Sequence, residues 1–291
     1  MKKAILIFAT LPFLFLGCEK IEFPKQTGGS NPIPTNDTIR KVMIEDFTGH
    51  ICPNCPKAAR MLDSLKRAYP GQVIGVAIHF DFWGDPCTSQ NLPQGAPAGS
   101  FTEDFRVGPE LVDYNATFGI NSYNPPTGLV NRSDYPNTSA VPSWPSVVST
   151  LLAKPMTAYL KITPNYNTSS RVLNVNVSGE FLNDTTGTFK LALYLVEDSL
   201  TGYQEDNTLP GGLDPNFIFN DVFRGCINTP GSVAGETVAN GTIPNHSRIT
   251  YNMPNAFTVN TAFNDRHCKI VAFLYKTTDY GILQAAECNL R

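Results

Sequence analysis

Two cysteines three residues apart, Cys52 and Cys55, stand where a strand-like apolar run gives way to a helical pattern, and this junction limits the fold more than any other feature of the chain. Upstream, Lys41 to Phe47 reads as a buried strand carrying Val42, Met43, Ile44 and Phe47. Downstream, Ala58, Ala59, Leu62, Leu65 and Tyr69 recur at helical spacing until Pro70-Gly71 stops the run. Gln72 to Phe80 then supplies a second buried strand. Strand, helix and strand in that order require a crossover that leaves the strands parallel, so an α/β unit is expected.

The spacing also predicts chemistry. A thiol attacks a disulfide only as thiolate, and a helix N-terminus lowers a thiol pKa from about 8.5 through its unpaired N–H groups and dipole. Two intervening residues let the second sulfur reach back, so Cys52 is the expected attacker and Cys55 the resolving thiol. Pro53 suits a first helical position, where its missing N–H matters least. An inert Cys52–Cys55 staple is the competing reading, since such pairs are common outside the cytoplasm.

The chain is expected to lie outside the cytoplasm. Lys2 and Lys3 precede an apolar run from Ala4 to Leu16, which is short of the about 20 residues a membrane helix needs. Phe15-Leu16-Gly17-Cys18 resembles the lipobox of bacterial lipoproteins, which implies cleavage after residue 17 and acylation of Cys18. Residues 1–17 are thus read as a signal peptide and 18–39 as the lipidated cysteine and a Pro- and Gly-rich stalk. Lipid is the expected membrane tether. A net charge of −3 without any Lys/Arg cluster argues against nucleic acid as a partner.

Further along, residues 81–108 hold Phe82, Trp83, Phe101 and Phe105 among repeated Pro and Gly, as lids and binding loops do. Pro109 to Phe118 predicts a short helix, Thr127 to Val130 a strand behind Pro125-Pro126, and Ser143 to Ala153 an amphipathic helix closing a domain over 40–155. After Pro155 the pattern alternates. Strands are predicted over 159–163, 172–181, 188–195, 218–226, 248–251, 269–275 and 282–286, which suggests an antiparallel, immunoglobulin-like β-sandwich over 156–291.

Seven cysteines leave six once Cys18 is acylated. Cys268 and Cys288 are equidistant from residue 278, the tip of the predicted hairpin, so they are candidates for a structural disulfide, with Cys226 a rival partner. Cys87 is a free thiol, a partner of Cys226 or a third redox thiol. His50, His79, Cys52, Cys55 and Cys87 offer soft ligands, but without a second Cys-x-x-Cys no metal and no cofactor are expected. His246, His267 and the Asn-x-Ser/Thr triplets read as polar surface.

Two resemblances sharpen these expectations. Glu45-Asp46-Phe47-Thr48-Gly49-His50-Ile51-Cys52-Pro53-Asn54-Cys55-Pro56 is similar to the thioredoxin active-site segment. That resemblance implies a buried, proton-transferring carboxylate at Asp46, for which an ordinary strand-end acid is the alternative. It also implies a cis proline facing the dithiol, for which Pro126 is the candidate. Ile51 replaces the usual aromatic residue and Pro53-Asn54 the usual Gly-Pro. With its lipobox, Asp221-Val222-Phe223-Arg224, Gly235-Glu236, Ile270 to Tyr275 and Leu283 to Glu287, the chain resembles the twenty-eight-kilodalton outer-membrane protein family. This resemblance implies an outer-membrane lipoprotein, facing the periplasm or the cell surface. Its expected activity is thiol-disulfide exchange on extracytoplasmic protein partners, and the alternative is a non-catalytic, adhesin-like binding role.

Overall fold

The computed structural model describes residues 39–291. The signal peptide, Cys18 and all of the stalk before residue 39 lie outside the described residues.

Strand β1 (Val42–Thr48) runs into the Cys52–Cys55 loop, helix α1 (Cys55–Ala68) follows, and β2 (Val73–His79) returns parallel to β1. Helix α2 (Gly108–Phe118) leads to β3 (Thr127–Val130), antiparallel to β1, and to the short β4 (Ser139–Ala140) and helix α3 (Trp144–Leu152). All seven residues of β1 and of β2 are buried because helices cover both faces. On one face Val42, Ile44 and Val73 pack with Ala58, Leu62 and Leu65 of α1 and Trp144 and Val148 of α3. On the other, Met43, Phe47, Ile74 and Ile78 pack with Tyr114 and Phe118 of α2. Strand alternation therefore puts Asp46, Ala77 and His79 on the α1 side.

The sheet continues past residue 155. Strands β5 (Ala158–Asn167), β6 (Val172–Phe181), β7 (Thr185–Glu197), β8 (Leu200–Glu205) and β9 (Leu213–Phe219) are followed by β10 (Val222–Cys226), β11 (Glu236–Ile243), β12 (Arg248–Asn252), β13 (Phe257–Thr258), β14 (Cys268–Lys276) and β15 (Ile282–Asn289). A nine-stranded mixed sheet has the order β15-β14-β7-β10-β2-β1-β3-β4, with β11 also on β7. Its seam is the parallel pairing of β10 with β2, where Val222 lies beside Ala77 and the Ala77 N–H donates to the Asp221 carbonyl at 2.7 Å. A second, antiparallel sheet of β5, β6, β12 and β13 covers one face of β7 and β14.

Period-two alternation explains how β7 and β14 can be buried on both sides. Leu191, Leu193, Leu195, Ile270, Ala272 and Leu274 face the second sheet, whereas Tyr194, Val196, Val271 and Phe273 face α2 and the core beneath it. The chain is thus mostly β structure with few helices, in mixed and antiparallel sheets.

One buried ion pair, between β1 and the turn after β3, also contacts rings of the later strands. Arg132 donates to Glu45 from Nε at 2.8 Å and from Nη2 at 2.6 Å, and its guanidinium lies over the Phe118, Phe273 and Tyr275 rings at 4.7, 4.9 and 5.4 Å. Tyr114 donates to the same carboxylate.

Several expected elements are corrected. The predicted strand over 218–226 is two, because Asp221 adopts a left-handed φ of 57° and turns the chain between β9 and β10. The 200–219 segment, without a predicted strand at 200–205, forms the β8–β9 hairpin. Cys268 and Cys288 are not joined in a disulfide. The strands pair with Ile270 opposite Cys288, a one-residue bulge at Leu274/Tyr275 adding to an offset already present nearer the tip, and the Leu290 N–H donates to the Cys268 carbonyl. The two cysteines are diagonal neighbours, roughly 7–8 Å apart in ordinary sheets and beyond a disulfide's reach.

Breaking the Glu45–Arg132 pair leaves a charge stranded in the core. Arg132→Met should lower unfolding free energy by about 3–5 kcal/mol in chemical denaturation. The double variant Glu45→Leu/Arg132→Met should recover much of that loss.

Candidate functional site

The site is built from the C-terminal end of β1, the loop after it and the first turn of α1. Cys52 and Cys55 are joined in a disulfide, with Cα atoms 5.4 Å apart. Helix α1 starts at Cys55, with Asn54 at its N-cap and Pro56 in the first turn. Pro53 therefore occupies the preceding turn and not the first helical position. The loop is drawn tight by Cys52 N–H to Gly49 carbonyl and Cys55 N–H to Cys52 carbonyl bonds of 3.2 and 3.1 Å. Gly49 is required there, since a Cβ would sit 2.2 Å from the Trp83 carbonyl oxygen. The Ile51 N–H donates to that same carbonyl.

The two sulfurs do not face solvent: Cys52 is 1 % and Cys55 2 % exposed. Their cover is the β8–β9 hairpin rather than the 81–108 segment alone. Gln204, buried, donates from Nε2 to the Cys52 and Gly49 carbonyls at 3.0 and 3.3 Å. The Glu205 N–H reaches the His50 carbonyl, and the Asn207 N–H reaches the Pro53 carbonyl. Asp206 accepts a hydrogen bond from Arg60 of α1 at 2.8 Å, and Arg60 also donates to Thr208. From the other side Phe101 makes edge contact with His50 and packs on Tyr203 of the hairpin.

Beneath the dithiol lies a cavity of about 30 Å³ lined by Asp46, Thr48, Cys55, His79, Gln204 and Asp221, among others. Asp46 is buried, and its Oδ1 has no hydrogen-bond partner among the described residues. Burial first, and then the Asp221 carboxylate, push its pKa up to about 8. Burial would raise Asp221 as well, but the Lys269 and Lys66 ammoniums outweigh it and hold that carboxyl down at about 2. Two acids on one cavity thus stand in opposite protonation states at neutral pH. His79 is brought down to about 3 by burial, then by His50 and Arg224, and both its ring nitrogens lack a partner among the described residues.

Pro126 follows a cis peptide bond after Pro125 and leads into β3, whose Thr127 pairs with Phe47 at the dithiol end of β1. His50 places Nε2 at 2.7 Å from the Asp85 carbonyl oxygen. Cys87 and Cys226 are separate thiols. Cys226 lies buried, hydrogen-bonded to Asn228 and Thr229, and Cys87 is half-buried, with burial first and then the Glu205 carboxylate raising its pKa. No group of three or more His, Cys, Asp or Glu side chains among the described residues is placed to hold a metal ion. Gln204, Asp206 and Asn207 were not legible as site residues, because only contacts across 150 or so positions bring them to the loop.

The description "outer membrane protein Omp28" belongs to the family model that matches residues 112–290. The chain is a member of the Omp28 family. Its expected place in the outer membrane accordingly stands, and no helix among the described residues is long and apolar enough to cross a membrane. Among solved structures, this Omp28-family chain is similar to HBP35 of Porphyromonas gingivalis, with 17% identity and a TM-score of 0.62 over 87% of this chain and 76% of that one. It is also similar to a protein of Agrobacterium tumefaciens, with 13% identity and a TM-score of 0.50 over 87% of this chain and 96% of that one. A domain of the outer membrane lipoprotein Omp28 from P. gingivalis aligns at 17% identity and a TM-score of 0.28, over 47% of this chain and 91% of that one. These likenesses concern the fold. No curated protein matches the chain.

Two outcomes follow from this geometry. An acid whose pKa is raised on folding stabilises fully below its unfolded value near 3.8 and loses that contribution as pH climbs to about 8. Asp46→Asn should therefore gain stability over the wild type progressively between pH 4 and 8, by a few kcal/mol at the upper end, in denaturation curves taken across that range. Loosening the hairpin should expose the sulfurs. Arg60→Ala and Gln204→Ala should each speed reduction of the disulfide by a small dithiol by about five- to thirtyfold, the equivalent of about 1–2 kcal/mol.

Proposed function

We propose that this outer-membrane lipoprotein carries a thioredoxin-like unit over 40–155 and exchanges thiols and disulfides with extracytoplasmic protein partners through Cys52 and Cys55. The observation that carries the reading is the buried acid Asp46 beside the dithiol. A staple has no use for a carboxyl group held protonated next to its sulfurs, and perturbed groups of this kind gather at functional sites. The order β2-β1-β3-β4, the dithiol at the head of α1 and the cis bond before Pro126 at the same end of the sheet support it further.

In the oxidised form a partner thiolate attacks Cys52 Sγ, the Cys52–Cys55 bond breaks, and Cys55 leaves with the electron pair and takes a proton from Asp46. The partner's second thiol then attacks its own sulfur in the mixed disulfide, releasing Cys52. The partner leaves as a disulfide, and the chain holds two thiols. In reverse, Cys52 attacks a partner disulfide and Cys55 resolves the adduct.

The burial of both sulfurs under β8–β9 favours a second reading, in which the disulfide is an inert brace within a scaffold whose work is binding. Trapping separates the two. Reduced Cys55→Ser protein, challenged with a disulfide-bonded peptide, should yield a stable Cys52 adduct seen by mass. A folded variant that forms none, together with a wild-type reduction potential below about −300 mV, would establish the brace.

A further inference from the structure

We propose that His79 is a positioning residue for the dithiol: with Asp46 it holds water in the buried cavity, and that water carries the proton between Asp46 and Cys55. The inference rests on the exchange reading above and adds to it a residue and a route.

His79 is the last residue of β2, beside Thr48 in the register and on the same sheet face as Asp46. Its ring is held by aromatic carbon and by no hydrogen bond among the described residues, with the Phe105 and Phe219 rings at 5.1 and 5.6 Å. A buried imidazole with two unsatisfied nitrogens is expensive, because each lost hydrogen bond costs about 1–3 kcal/mol. The Asp46 Oδ1 is orphaned in the same space. A volume of about 30 Å³, walled by Leu62, Ala77 and Phe219 as well as by Asp46, Thr48, His79 and Gln204, admits one or two waters at its polar side.

A neutral imidazole offers one donor and one acceptor, so it can orient such water from either side. Its pKa, lowered to about 3 by burial, His50 and Arg224, keeps it neutral at working pH. It thus guides the proton without holding it. When the disulfide opens, Cys55 Sγ departs as thiolate, the Asp46 carboxyl gives its proton to the water, and the water gives one to sulfur. Asp46 is left as carboxylate and is reprotonated from solvent when the hairpin opens.

The test is the rate of Cys52–Cys55 reduction by dithiothreitol in His79→Phe, which keeps an aromatic ring between Phe105 and Phe219, and in His79→Asn, which keeps polar atoms. Hydrogen exchange at the Glu205 and Asn207 amides reports whether the hairpin is disturbed. We expect His79→Phe to be slower by about tenfold or more, His79→Asn to recover most of that loss, and the solvent deuterium isotope effect to differ between wild type and His79→Phe. Adding His79→Phe to Asp46→Asn should cause little further slowing, since both act on one proton. Wild-type rates in His79→Phe with the same amide protection would reduce His79 to a spacer and overturn the inference. Should the peptide-trapping experiment fail while this His79 dependence is found, the exchange reading falls and the proton route remains.

Discussion

The Asp221 turn is the point on which the arrangement of this molecule depends. Its carbonyl accepts the Ala77 N–H that starts the parallel seam between β2 and β10, and its carboxylate sits between Lys66 of α1 and Lys269 of β14. Lys269 also meets Asp198 at 2.9 Å. Buried charges of this sort add little net stability, but they tolerate few alternative geometries. They therefore set the angle at which the later strands join the first four. Since β9 ends at Phe219, two residues before this turn, the same charges decide where the β8–β9 hairpin lands.

Electrostatics near the dithiol follow from that placement. Asp221 is kept ionised by two ammoniums, and its negative charge is one of the two reasons that Asp46 stays protonated. The structural charge cluster and the chemical site are thus one system. A change at Lys66 or Lys269 would be felt at Asp46 without touching it.

The local patterns in the chain were clear where they depended on neighbours in sequence. Strand β6 falls on the predicted 172–181 because Leu173, Val175 and Val177 alternate with polar residues, and α1 follows its apolar spacing. The proximity of Cys52 and Cys55, the burial of Asp46 and the cis bond before Pro126 agree with what spacing or resemblance implies. The sequence did not reveal what depends on distant pairing. Leu200–Glu205 has no strong strand pattern, and its Gln204 is buried only because it meets the Cys52 loop. The Cys268–Cys288 expectation fails because the hairpin is offset at its tip and again, by one residue, at the Leu274/Tyr275 bulge. The join of β10 to β2 was invisible for the same reason, as one ladder pair leaves no periodic trace.

The cover of the dithiol comes from the far half of the polypeptide, with 152 positions separating Cys52 from Gln204. A chain made from its amino end presents the cysteines well before the segment that will enclose them. Once Gln204 has docked, a reagent reaches the sulfurs only through a local opening of the hairpin, so the bond closes in an open chain and is shielded in the finished one.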